Sequence, residues 1–141
     1  MITEAKALLN AQEHAVLSTY SKEKEGFPFG SLIPYMLDSR GVITCWVSDL
    51  AQHTKNLTAY PKASLTITPA DPARDKARLC LMVDVVEVTE GVEALRESYT
   101  QRFPLAKQYL SFHDFKPMEL QVQSAYYIGG FGRAGWLDWN E

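Results

Sequence analysis

The spacing of apolar positions changes several times along the chain, and each change marks an expected element. Over Thr3 to Gln12, the residues Ala5, Leu8, Leu9 and Gln12 follow a helical period, with Thr3 placed to cap the helix. From Ala15 to Tyr20 the pattern is that of a strand, ended by the polar turn Ser21-Lys22-Glu23-Lys24-Glu25-Gly26. Phe27 to Leu37 is apolar and aromatic but holds Pro28 and Pro34. Proline cannot donate to a ladder, so this run belongs at a sheet edge or carries a bend. After the turn Asp38-Ser39-Arg40-Gly41, Val42 to Ser48 presents two apolar faces and is expected to be well buried.

Ser48-Asp49 is expected to open a helix that stops at Tyr60-Pro61, with Asp49 and Gln52 at capping-box spacing. A strand over Ala63 to Thr68, a polar loop from Pro69 to Ala77, and a strand over Arg78 to Thr89, expected to be the longest, follow. Gly91 to Phe103 has the pattern of an amphipathic helix stopped by Pro104, and Leu105 to Phe112 of a second short helix. Met118, Leu120 and Val122 alternate with Glu119, Gln121 and Gln123, which predicts a half-buried antiparallel strand running to Ile128. These runs predict an α+β fold, one domain over residues 1–141, built as a small antiparallel six-stranded β-barrel with flanking helices.

Composition narrows the function classes. The 141 residues are 46% apolar and 22% charged, with 14 Lys and Arg against 17 Asp and Glu and a net charge of −3. No global field or basic run exists to gather nucleic acid, and no apolar stretch approaches the roughly 20 residues that span a bilayer. Met1 to Lys6 lacks the basic-then-apolar pattern of a signal segment, and Cys45 and Cys80 each fall inside an expected strand. Reduced thiols in a cytoplasmic protein are the expectation. Gly130-Phe131-Gly132-Arg133-Ala134-Gly135 matches a dinucleotide fingerprint literally but has no helix or second strand after it. His14, His53 and His113 lack zinc-site spacing, and neither a nucleophile elbow nor a Walker loop is present.

Three features remain. At Ser48 to Leu57 a buried strand runs straight into a helix N-terminus, where free N–H groups and the dipole attract an anion. Ser48, His53, Thr54, Lys55 and Asn56 would add donors for a phosphate. Equally, Ser48 or Asp49 caps the helix, His53 is a boundary residue and Lys55 is solvated. Trp46, Tyr35, Phe27, Phe29 and Phe131 form a large ring population, with core packing the simpler reading for Trp46. Arg133 stands in a glycine-rich stretch that would bring a guanidinium close to an anion or a ring.

Ser31-Leu32-Ile33-Pro34-Tyr35, Ser48 to Leu57, Tyr60-Pro61-Lys62-Ala63-Ser64-Leu65, Arg78-Leu79 and Gly129-Gly130-Phe131-Gly132-Arg133-Ala134 occur in an order that resembles a known family. This is the group of FMN-binding split-barrel proteins related to pyridoxamine 5′-phosphate oxidase, most nearly its haem-utilisation branch. The resemblance covers nearly the whole chain and implies a homodimer with two cofactor sites at the subunit interface. It implies FMN phosphate near Ser48, His53, Thr54, Lys55 and Asn56. The flavin ring would lie along Ser31, Pro34 and Tyr35 with Val47 beside it, and Arg133 would come from the partner. The function so implied is a flavin-dependent oxidoreductase, with no residue identifying itself as catalytic and a deazaflavin as a variant cofactor.

Two departures shape that expectation. Ser31 to Met36 holds no Arg or Lys, which argues against pyridoxamine phosphate as substrate. No histidine follows His113, where haem-utilising relatives carry an iron ligand beyond the glycine-rich tail. Flavin is therefore expected ahead of haem, the alternative being a haem-binding protein in which His53 or His113 replaces the missing ligand. A barrel serving only as an interaction module is the third reading. The resemblance leaves two readings of His53 and Asp114: a pair formed across the dimer, or, more simply, two unrelated surface polar residues.

Overall fold

The structure is a computed structural model that describes residues 1–130 and 132–140. Its strands form one antiparallel sheet: β1 (His14–Tyr20), β2 (Pro28–Pro34), β3 (Met36–Leu37), β4 (Ile43–Ser48), β5 (Lys62–Ile67), β6 (Arg78–Glu87), β7 (Phe115–Gly130) and β8 (Arg133–Leu137). The order across the sheet is β2-β1-β5-β6-β7-β4-β3, with β8 also paired to β7. One edge of β7 carries β6. Its other edge carries β4 along Phe115 to Leu120 and β8 along Ala125 to Gly130.

This order forces closure. The two ends of the path, β2 and β3, are separated in sequence by Tyr35 alone. Seven strands laid flat at about 4.8 Å would put those edges roughly 29 Å apart, whereas one residue spans about 3.5 Å. The sheet therefore curls into a barrel split along the β2–β3 seam. Pro28 and Pro34 open and close β2, so both sit on an edge strand, as their missing donors require.

Helix α1 (Ile2–Ala11) packs Ala5, Leu8 and Leu9 into one end of the barrel core, beside Tyr35, Leu79 and Tyr127. Helix α2 (Gln52–Ala59) follows β4 directly and inserts Leu57 into the same core. Helix α3 (Val92–Arg102) and a 3₁₀ segment (Pro104–Gln108) lie outside, covering Trp46 with Tyr99, Ala106 and Leu110. Ile43, Cys45 and Val47 face the main core while Trp46 faces this second cluster, so β4 is buried on both sides, as its alternation predicts. Both cysteines are free; burial pushes the Cys45 thiol up to about 12, and Cys80 is half-buried. Among the described residues no helix is long and apolar enough to cross a membrane.

Several expectations are corrected. The sheet has eight strands among the described residues, not six. The run from Phe27 breaks at Tyr35 into β2 and β3, and the tail folds back as β8. Gly130 and Gly132 make that reversal with φ of 118° and 74°, a region side chains disfavour. The longest strand is the 16-residue β7 rather than β6. Helix α1 starts after Met1 without a Thr3 cap, and the second short helix is the 3₁₀ turn. No capping box forms: α2 starts at Gln52 behind Ala51, and Asp49 pairs with Lys116 of β7 at 3.0 Å.

Candidate functional site

Where β4 ends, the chain makes a tight turn before α2. The Ser48 Oγ accepts from the Leu50 N–H at 3.1 Å and lies 3.5 Å from the Asp114 carboxylate, to which it donates. The Asp49 N–H donates to the Asp114 carbonyl at 2.7 Å. Asp114 is thus fixed against Ser48 of its own chain, and with Lys116 holding Asp49 the turn is pinned to the start of β7. Helix α2 then begins with no side chain capping its N–H groups, so the positive end of its dipole is open.

The next residues carry the unusual features. His53 is half-buried, its Nε2 is buried with no partner among the described residues, and burial holds its imidazole below the ordinary range. At neutral pH the ring is therefore uncharged. Thr54 is buried with its Oγ1 likewise unpartnered, and with Val47, Leu57, Val85 and Lys116 it lines a cavity of about 80 Å³. Lys55 is exposed. Asn56 is fully buried: its Nδ2 donates to Thr19 Oγ1 at 3.0 Å, and its Oδ1 accepts from the Lys22 N–H and Gln52 Nε2, each at 3.0 Å. That amide ties α2 to β1 and to the turn after it. Its function is positioning.

Ser48 and the α2 residues are neighbours along the chain but face different ways, Asn56 inward to Thr19, Thr54 to the cavity beside Val47 and Lys55 to solvent, and the other predicted residues lie on other elements. Ser31 is half-buried on β2 and donates to the Leu17 carbonyl at 3.5 Å, and Pro34 ends the same strand. Tyr35 is inside the core, with its hydroxyl donating to the Leu9 carbonyl at 2.7 Å and its N–H to the Glu13 carbonyl at 2.9 Å. Burial, partly offset by Arg102, pushes its phenol up to about 12. Arg133 pairs with Glu4 of α1 at 2.9 Å, at the far end of β7 from Ser48. Within one chain it cannot join the Ser48 group. Phe131 lies outside the described residues.

A second concavity went unforeseen. On the outer sheet face Gly30, Ser18, Ser64, Met82 and Ser124 stand opposite one another across five strands, making a low floor. On one side of this floor Leu32, Val16, Thr66, Cys80, Tyr126 and Trp136 stand in register, and a groove opens on the other side over Ser18, Ser64 and Met82, walled by Pro28, Tyr20, Tyr60 and the Lys62–Asp84 pair. The groove encloses about 560 Å³, and Tyr20 and Tyr60 meet edge-to-face at 4.7 Å on its rim. Leu32 is 71% exposed, Phe27 67% and Tyr20 60%. The small outward residues of β1 and β5 were the available signal, but only the pairing register shows that they align.

A family model described as CREG, beta-barrel matches residues 2–141. A chloroplastic heme oxygenase, HOZ, from Arabidopsis thaliana is 35% identical over 134 residues, which are 94% of this chain and 41% of that protein. The chain therefore spans about two-fifths of the length of that curated relative. Among solved structures, a heme binding protein from Mycobacterium smegmatis is 28% identical with a TM-score of 0.84, over 99% of this chain and 58% of that one. A protein of the pyridoxinephosphate oxidase family from Clostridium acetobutylicum is 12% identical with a TM-score of 0.73, over 99% of this chain and 94% of that one, a likeness of fold alone.

Proposed function

The chain belongs to the CREG β-barrel family, and from that premise we propose that it binds haem in a cleft completed by a second copy of itself. The observation that carries this reading is His53. Its Nε2 is buried and unpaired, and burial keeps the ring neutral, so one of the two ring nitrogens carries a free lone pair. That is the state in which an imidazole ligates iron. A buried nitrogen without a partner is also costly, which favours any state that gives it one. Ligation requires this nitrogen to be turned outward, into a cleft formed with the partner surface.

The remaining residues fit the group. Exposed Lys55, two positions on, supplies a cation for a porphyrin carboxylate, and Asn56 fixes the helix that carries both. Bound haem would supply redox-active iron; the protein's part is to ligate, orient and shield it. The exposed Leu32, Phe27 and Tyr20 make an apolar surface of the kind that marks an interface, which supports a homodimer. The names of HOZ and of the mycobacterial protein support haem as the guest.

One observation favours a second reading, FMN. The N-terminus of α2 has no capping side chain, and Lys55 stands in its first turn, an arrangement suited to a phosphate. Against it, the Asp114 carboxylate lies beside Ser48, where an anion would meet like charge.

Titrating purified protein with haemin and with FMN separates the two. Haem binding is expected to give a shifted Soret band, with affinity reduced at least tenfold in His53→Ala and unchanged in His113→Ala. A Soret band and affinity unaltered in His53→Ala would overturn the ligand assignment. FMN binding abolished by Lys55→Met, with no haem binding, would replace the haem reading by the flavin one.

A further inference from the structure

Asn56-Leu57-Thr58 has the form Asn-x-Ser/Thr with x other than proline, the acceptor signal for N-linked sugar, and that form occurs once in the chain. Acceptors in use lie on surface loops. Here the signal falls inside α2, and its two polar members face different ways. Thr58 is exposed, and its Oγ1 donates to the Thr54 carbonyl at 2.9 Å within the helix. Asn56 is fully buried.

Sugar transfer joins the amide Nδ2 to the anomeric carbon of an oligosaccharide carried on a lipid pyrophosphate. The nitrogen loses one proton and the lipid pyrophosphate leaves. That nitrogen is the one committed to Thr19 Oγ1 at 3.0 Å, while Oδ1 of the same amide holds the Lys22 N–H and Gln52 Nε2. A transferase reaches Nδ2 only if α2 lifts from β1. A sugar once attached has no space beside Thr19, itself buried, so α2 cannot return. Leu57, the middle residue of the signal, sits in the barrel core, and the lift uncovers it too. A sugar-bearing chain therefore loses both the packing of α2 and its tie to the turn after β1.

We propose that Asn56-Leu57-Thr58 is a glycosylation site of the unfolded chain alone, and that a sugar there and the native fold exclude one another. The chain reaches its fold only where folding precedes oligosaccharide transfer or takes place apart from it. Thr58 separates the two roles of the segment, because it completes the signal while its side chain stays outside the core.

The test is translation of the full chain behind a cleavable secretory signal in the presence of microsomes. Sugar-bearing and sugar-free products are separated by gel mobility, identified with an endoglycosidase, and digested with graded protease to read folding. Sugar-bearing chains are expected to be cut at a protease concentration at least tenfold below that needed for sugar-free chains. Thr58→Ala, which removes the signal, should give only sugar-free, resistant chains, and Thr58→Ser, which keeps it, should match the unaltered chain. Leu9→Ala, which raises the unfolded population, should carry more sugar. Sugar on Leu9→Ala but not on the unaltered chain would support the proposal, since folding then closes the site. Sugar-bearing chains as resistant as sugar-free ones would overturn it. So would the absence of sugar from both the unaltered chain and Leu9→Ala, because the acceptor would then be silent even when unfolded.

Discussion

Each end of this barrel is closed by a helix, yet the two closures are chemically unlike. At the α1 end the polar groups are matched: the Tyr35 hydroxyl reaches the Leu9 carbonyl, the Tyr35 N–H reaches Glu13, and Arg133 reaches Glu4. Lys6 lies 5.3 Å from the ring centre of Trp139. At the α2 end Asn56 is saturated, but the adjacent His53 and Thr54 each bury a polar atom with no partner. A helix that only plugs a barrel has no reason to keep such groups. On the proposed reading this contrast makes α1 structural and α2 the helix that carries the binding site.

Three perturbations probe that contrast. The largest effect is expected from Leu9→Ala at the α1 end, which should lower unfolding free energy by about 3 kcal/mol through the cavity it leaves, while cofactor affinity in the folded fraction stays unchanged. Chemical denaturation with a parallel haem titration measures both. A loss of affinity exceeding the loss of folded protein would erase the distinction between the ends.

Next in size is a pH effect at the α2 end. The unfolded chain accepts a proton on His53 near the ordinary value of about 6.5, whereas the folded chain resists it. The stability due to neutral His53 is therefore complete above that range and declines as pH falls through it. His53→Gln should flatten the stability profile between about pH 7 and 5, a range that lies above the titration of ordinary carboxylates. An identical slope in the variant would show that His53 is not held neutral by the fold.

The smallest effect belongs to Arg133. Its pair with Glu4 is half exposed, so Arg133→Ala should change stability by less than about 0.5 kcal/mol. Haem or flavin affinity decides its other role: a clear fall at unchanged stability would assign Arg133 to the site of a partner subunit.

The strands were legible because alternation and turn residues mark them locally; β1, β4, β5 and β6 begin or end within two residues of where the pattern places them. What escaped depended on distant partners. The sequence Arg133-Ala134-Gly135-Trp136-Leu137 becomes a strand because β7 extends far enough to pair with it. Asp49 has capping-box spacing to Gln52, but Lys116, distant in sequence, takes its carboxylate. Asn56 reads as a donor for an anion, and the buried Thr19 and the Lys22 amide claim it first. For the candidate site, the sequence singled out the positions at the helix entrance, while which of them the chain itself saturates needed the third dimension.

Tyr35 has a consequence beyond packing. Among the described residues no ladder joins β2 to β3, so the wall is a ring with a gap, bridged in sequence by Tyr35. The backbone N–H there is held by the Glu13 carbonyl, so the bridge is fixed to the segment that joins α1 to β1. The phenol, anchored to α1, is its clasp. Loosening α1 would therefore be felt around the whole circumference as a change of aperture, before any single strand came away.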